Sequence, residues 1–349
     1  MGVRLVVLTG MLWLAGLPVA AATLTISGAG ATFPYPVYAK WAEAYKAKSG
    51  IGLNYQSIGS GAGIRQIKAA TVTFGATDKP LGPAELDEAR LVQFPMVIGG
   101  VVPVVNIPGV QPGEIALDGA TLADIYLGRI ESWDDVRIRA LNPDVKLPRL
   151  AIAPIYRADG SGTNFLFTSY LAGANARFRS EVGASTAVEW PVGIGAKGNE
   201  GVANMTRLTT GAIGYVEYAF VKQIRMTYLR LRNREGRIVA PGPAAFQAAA
   251  AHADWKNSPG YQVSLLDQSG AGSWPLTGAS FILMRREPKD ARVAAETLKF
   301  FAWALGSGAA IAEDLGYVSL PQSLVRLVER TWAESIRSGG VPIWPVEPR

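Results

Sequence analysis

Three short stretches of the sequence set hydroxyl side chains among glycines. They are Gly28-Ala29-Gly30-Ala31-Thr32-Phe33-Pro34, Gly59-Ser60-Gly61-Ala62-Gly63 and Arg157-Ala158-Asp159-Gly160-Ser161-Gly162-Thr163. Each falls between an apolar, β-rich run and an amphipathic one, so each is expected where a strand hands over to a helix. The first turn of a helix carries unpaired backbone N–H groups at the positive end of its dipole. A hydroxyl placed there adds another donor, and the combination suits an oxyanion. A single cluster of this kind is ordinary N-capping. Three of them, with Arg157 two residues before Asp159, form a cage of neutral donors plus one guanidinium if the helix ends converge. Charge-assisted hydrogen bonds of about 1.5–3 kcal/mol each let such a cage hold a dehydrated anion. Asp78 is the odd member, because a carboxylate repels an anion unless the anion brings a proton to donate.

The elements that must position these clusters follow from periodicity. Thr23–Ser27 reads as a strand and Pro34–Ser49 as a helix, with Val37, Trp41 and Tyr45 every four residues and Gly50 as its stop. Leu53–Ile58 and Phe74–Thr77 read as strands, the second ending at Asp78, and a short helix carrying Ile64 and Ile67 follows Ser60. Val97–Ile107 is apolar and β-rich, which predicts a buried strand. Leu122–Leu127, Asp134–Leu141 and Ser161–Leu171 read as helices, and Ala151–Tyr156, Ala212–Val216 and Phe281–Met284 as strands. Long helices are expected over Ala291–Leu305 and Leu324–Ile336, followed by a loosely packed Pro-rich tail from Val341. The alternation is that of an α/β protein.

Composition excludes much chemistry. The chain has 349 residues, enough for two domains, with 49% apolar and 18% charged residues, a globular balance. It has no cysteine and a single histidine, His252, which removes thiolate chemistry, zinc–cysteine sites and multi-histidine metal sites. No metal site and no cofactor are expected. The net charge is +6, and its densest basic run, Lys222 to Arg237, reads as a solvated hairpin or strand face rather than a nucleic-acid surface. Met1–Ala22 has an early Arg4, a short apolar stretch and an A-x-A ending at Ala22, so it reads as an export signal cleaved near that residue. A cysteine-free exported chain suits the periplasm.

Several patterns carry less than they promise. Gly193-x-Gly195-x-x-Gly198 matches the dinucleotide fingerprint, but Trp190-Pro191 before it makes a poor strand. Asp134-Asp135 reads as a helix N-terminal turn, and His252 as a surface residue. The tryptophans belong in the core, with Trp190 and Trp274 the candidates to border a cleft. No G-x-S-x-G elbow or Walker A motif is present.

Phosphate carries a proton at neutral pH and sulfate does not, so a cage with one carboxylate favours phosphate. The segments GAGATFPYPVYAKW, YQSIGSGAGIRQI, FGATDKPL, QFPMVIGGVVPVVNIPG, RADGSGTNFLFTSYL and GAIGYVEYA closely resemble the periplasmic phosphate-binding proteins of bacterial high-affinity phosphate ABC transporters. The likeness runs from about Thr25 to about Pro321. It implies the type II periplasmic binding protein fold, with two α/β lobes, two crossing strands and a ligand cleft. The implied lobes are residues 23–102 plus 279–349, and residues 103–278. Matched residue by residue, the family's phosphate contacts fall on Thr32, the Phe33 N–H, Ser60, Asp78, Arg157, Ser161, the Gly162 N–H and Thr163. Asp159 matches the carboxylate that orients the arginine. Gly61 stands where some members carry serine, and Lys79 would weaken the selectivity of Asp78 if it pointed inward. The resemblance implies a monomeric, non-enzymatic receptor that hands inorganic phosphate to a membrane permease. Two rivals remain open: an exported phosphatase using Ser60 or Ser161 as nucleophile, and the same fold holding sulfate, molybdate or a phosphonate.

Overall fold

The computed structural model describes residues 24–345 together with Gly2, so the expected export signal lies, apart from Gly2, outside the described residues. The chain starts with β1 (Thr25–Gly30), α1 (Tyr35–Ser49), β2 (Gly52–Ser57), α2 (Ser60–Lys68), β3 (Phe74–Thr77), α3 (Pro83–Glu88) and β4 (Leu91–Val105). In α1 the recurrent Val37, Trp41 and Tyr45 are buried, and Gly50 ends the helix at φ 75°. That left-handed conformation suits glycine. β4 is buried over all 15 residues, and it begins earlier than its apolar stretch predicts. The apparent interruption, Gln93, is satisfied inside the core: its Oε1 accepts from the Leu81 N–H at 2.8 Å and its Nε2 donates to the Gly260 carbonyl at 2.6 Å.

The middle of the chain adds β5 (Ala116–Leu117), α4 (Gly119–Tyr126), α5 (Val136–Leu141), β6 (Ala153–Arg157), α6 (Gly162–Ala174), α7 (Ala176–Glu181), β7 (Ile194–Ala196), α8 (Gly198–Leu208) and β8 (Ala212–Glu217). α9 (Tyr218–Ile224), β9 (Thr227–Tyr228), β10 (Arg230–Arg232), β11 (Ile238–Val239) and α10 (Pro243–Ala250) follow. The basic run is therefore the end of α9 and the β10–β11 hairpin, with Leu229 and Leu231 inward and Arg232, Arg234 and Arg237 exposed. The chain returns through β12 (Thr277–Arg285), α11 (Ala291–Leu305), α12 (Ala309–Leu315) and α13 (Gln322–Ser335).

The main sheet has the order β2-β1-β3-β12-β4-β8-β6-β7, with β9 also on β4. β4 changes partner along its length: Leu91–Gly100 pair with β12 and Val101–Val105 with β8. One strand thus belongs to two groups of strands, β1–β3 with β12 and β6–β8, and the fold is a two-lobed α/β structure tied by β4 and β12. Each group has its own aromatic packing. Tyr38, Tyr55, Phe74 and Phe301 interlock on one side, and Tyr126, Phe167, Trp190 and Tyr215 on the other.

Two sequence expectations change here. The described part of the tail, 341–345, is anchored: Val341–Pro342 pair with Arg337–Ser338, and Trp344 meets Trp332 edge-on at 5.2 Å. Its aromatic ring finds apolar surface that the proline content hides. Trp274 is a core residue, and Trp190 is half-buried against the core. Trp190 stacks on Tyr156, and the fully buried Trp274 donates its indole N–H to the Val101 carbonyl. Asp135 caps α5 through the Arg137 N–H at 2.8 Å, and His252 is exposed, as expected for both.

Candidate functional site: a buried anion cage

The three glycine-flanked clusters do sit at strand-to-helix turns, β1 to α1, β2 to α2 and β6 to α6. Parallel strands bring their C-terminal ends to one edge of a sheet, and that edge is where ligands bind in open α/β folds. Thr32 and Phe33 lie at the entry to α1, Ser60 opens α2, and Asp78 follows β3. Opposite them stand Arg157 at the end of β6, Ser161 as the N-cap of α6, and Gly162 and Thr163 in its first turn. Thr32, Phe33, Ser60, Asp78, Arg157, Ser161 and Thr163 are all buried. The structure brings these cage candidates to one edge, but it corrects the expectation for Gly162: its N–H is taken by Ser60 Oγ instead of being free for an anion.

The two walls touch directly. Ser60 Oγ accepts the Gly162 N–H across the gap at 3.0 Å and the Asp78 N–H on its own side at 3.3 Å. The Gly61 N–H donates to the Gly160 carbonyl at 2.8 Å. Glycine is needed at 162, since a Cβ there would lie 2.5 Å from the Asp78 Cβ.

Arg157 is held in place by three hydrogen bonds to two partners. Its Nε and Nη2 fork onto Asp159 at 2.8 and 2.6 Å, and its backbone N–H donates to the Tyr215 hydroxyl at 3.0 Å. Nη1 is buried and has no partner in the protein. Such an atom is costly unless a ligand satisfies it. Burial pushes the Asp159 carboxyl up, but the Arg157 hydrogen bonds and charge, with the Gly198 N–H at 3.1 Å, outweigh it and hold the group below its ordinary range.

Asp78 is the opposite case. Both of its oxygens are buried without a hydrogen-bond partner. Burial pushes its pKa up to about 7, against smaller lowering effects of the nearby Ser280 hydroxyl and of Arg157. The Tyr38 and Ser280 hydroxyls, close by, are likewise buried and unpartnered. Lys79 does not point at Asp78. Its Nζ lies 5.6 Å from the centre of the Phe165 ring, a cation–π contact.

The polarity of the hydroxyls follows from their neighbours. A hydroxyl oxygen accepts through two lone pairs and donates one proton. Ser60 Oγ has both lone pairs taken by N–H groups. Ser161 Oγ accepts from the Asn164 N–H at 3.0 Å. Thr32 Oγ1 accepts from the backbone N–H and the Nδ2 of Asn199, at 3.1 and 2.7 Å. Thr163 Oγ1 accepts from the same Nδ2 at 3.2 Å. For Ser60 and Thr32 only the O–H proton is left to offer. The cage is a set of donors facing one acceptor, Asp78.

Asn199 was not read from the sequence. It opens α8 directly after Gly198, the last glycine of the demoted fingerprint, and β7 precedes it. The signal was present: a glycine-flanked polar residue at a fourth strand-to-helix turn. Tyr38 and Ser280 carried no such signal, being polar positions on a buried helix face and in a buried strand. Among the described residues no three His, Asp or Glu side chains are grouped to hold a metal ion. A cavity of about 850 Å³ lined by Trp255, Leu324, Arg326 and Arg330 lies apart from the cage.

Comparison with known proteins gives the same picture. Residues 18–307 match the family model described as PBP superfamily domain. The chain is 47% identical over 315 residues to the phosphate-binding protein PstS of Xylella fastidiosa (strain 9a5c), covering 90% of this chain and 86% of that one. It is 46% identical over 327 residues to the phosphate-binding protein PstS of Haemophilus influenzae, covering 94% and 98%. Among solved structures it is similar in fold to a phosphate-binding protein from Stenotrophomonas maltophilia, with TM-score 0.70 at 19% identity, covering 91% of this chain and 99% of that one. With its donor cage, its two-lobed fold and this identity over nearly the whole length, the chain belongs to the PstS family of phosphate-binding proteins.

Proposed function

We propose that this protein captures inorganic phosphate in the donor cage and delivers it to the membrane permease of an ABC importer. One observation carries the reading: the Ser60 and Thr32 hydroxyls, whose lone pairs are filled by N–H donors, face Asp78, a buried carboxylate with neither oxygen partnered. A protonated oxyanion satisfies both at once. Its bare oxygens accept from Thr32, Ser60, Ser161, Thr163 and Arg157 Nη1, and its O–H donates to Asp78. In this reading residues 23–102 plus 279–349 form one lobe and residues 103–278 the other, closing about β4 and β12. Export to the periplasm, with cleavage near Ala22, and a monomeric state complete it.

The hydroxyls are poorly set up for nucleophilic attack, which needs a free lone pair and a base. Ser60 has both lone pairs occupied, and Ser161 accepts the Asn164 N–H. A receptor fits this arrangement better than a phosphatase.

Calorimetric titration of the mature protein with phosphate, arsenate and sulfate tests the reading. Phosphate binds at one site and sulfate gives no heat. Absence of phosphate binding, or equal binding of sulfate, refutes it. Small-angle scattering on the same samples should show a smaller radius of gyration with phosphate, since ligand contacts on both walls favour the closed form.

A further inference from the structure

We propose that Asn199 is a positioning residue for the anion: its amide sets the Thr32 hydroxyl as a donor, orients the Thr163 hydroxyl and ties the two walls together. The proposal rests on the reading of the cage as a phosphate site. Asn199 is fully buried, and both ends of its side chain are engaged. Its Oδ1 accepts the backbone N–H of Glu217 at 2.9 Å. That partner can only donate, so the orientation of the amide is fixed and its NH2 must face the threonines. Nδ2 then reaches Thr32 Oγ1 at 2.7 Å and Thr163 Oγ1 at 3.2 Å, while its own backbone N–H adds a second bond to Thr32 at 3.1 Å.

Two consequences follow. Thr32 has no lone pair left, so its proton is directed to the anion. An acceptor at position 199 would take that proton and turn a Thr32 lone pair toward the anion instead. Thr32 also lies across the gap from Asn199, 167 residues away in the chain, so both bonds form only while the walls are together. Asn199 therefore acts through Thr32 and Thr163, on ligand polarity and on the lifetime of the closed form.

The test compares the parent with Asn199→Ala and Asn199→Asp by calorimetric titration with inorganic phosphate from pH 5 to 9. Release of labelled phosphate into excess unlabelled phosphate is measured alongside. Losing the amide bonds should weaken binding about 10- to 100-fold in Asn199→Ala, mainly through faster release. This variant adds no charge, so repulsion does not explain the loss. Asn199→Asp should bind poorly at high pH and recover toward the parent as pH falls, because a protonated carboxyl donates to Thr32 and a carboxylate does not. Binding within threefold of the parent in both variants overturns the proposal. So does an equal, pH-independent loss in both, which marks a packing role only. A parent that fails to bind phosphate refutes the functional reading itself, a result distinct from variants that match a parent that binds.

Discussion

Each wall of the cage carries one aspartate, and the two are tuned in opposite directions. Asp159 takes two hydrogen bonds from Arg157 and one from the Gly198 N–H, and it is held ionised. Asp78 is buried with no partner for either oxygen, and its pKa is pushed up to about 7. The same side chain is a fixed counter-charge on one wall and a proton acceptor of adjustable charge on the other. Burial without a partner penalises the charged form, and a forked guanidinium favours it. Under the proposed function, the wall with Asp159 would supply the charge that holds an anion, and the wall with Asp78 would test whether that anion has a proton.

The sharpest way to break this contrast is to remove the guanidinium. Arg157→Ala leaves Asp159 without its forked partner and the anion without its one cationic contact. Breaking a buried pair in this way costs about 3–5 kcal/mol. Phosphate affinity should fall at least about 100-fold by calorimetry, and near-parental affinity would sink the assignment of that wall.

Asp78→Asn tests the other wall and should change selectivity more than affinity. Asn keeps the shape, removes the charge and offers N–H groups to an unprotonated oxygen. Sulfate should become a measurable competitor, with the sulfate-to-phosphate ratio rising about 100-fold or more, whereas the parent ignores it. Equal rejection of sulfate by both proteins would rule out a proton-reading role.

The ligand-free protein offers a third comparison, through stability against pH. The Asp78 carboxyl titrates near 3.8 when unfolded and at about 7 when folded, so between these values the folded chain holds a proton that the unfolded chain lacks. Its favourable contribution is complete below pH 4 and is lost as pH rises through 7. The shift corresponds to at most about 4 kcal/mol, a ceiling that relaxation around the buried charge lowers. Urea denaturation at pH 5 and pH 8 should show this loss in the parent and a flatter dependence in Asp78→Asn. Matching slopes would show that Asp78 is solvated in the free protein.

The smallest effect concerns how closely the walls approach. A Cβ on Gly61 would stand 3.3 Å from the Gly160 Cα, so Gly61→Ser requires a shift of only a few tenths of an ångström. Phosphate affinity should change less than about fivefold, which is about 1 kcal/mol. A larger loss would mean that this backbone contact is part of the closing mechanism.

Much of the cage was legible because strand-to-helix turns announce themselves locally. Gly30, Gly59 and Gly162 stand within two residues of Thr32, Ser60 and Thr163, and the preceding and following periodicities place each turn. The fourth turn, at Gly198-Asn199, was obscured by its likeness to a nucleotide fingerprint and by the weak strand before it. β7 has only three residues, and two of them are exposed, so it has little apolar pattern to read. The exchange of partners along β4 was not legible either. An apolar run states that both faces are covered, not which strand covers each half.

The sequence alone determined the chemical inventory: donors at helix starts, one arginine with an aspartate two residues on, no thiol and a single imidazole. These are local properties, since the hydrogen-bonding capacity of a side chain and the unpaired N–H groups of a first helical turn travel with a few consecutive residues. The tertiary structure decided which of those donors meet, which lone pairs are already filled, and which aspartate keeps its charge. The Thr32–Asn199 and Ser60–Gly162 bonds join residues 167 and 102 positions apart, and the state of Asp78 depends on what buries it. Burial and distant partners are properties of the assembled fold, and no stretch of a few residues contains them.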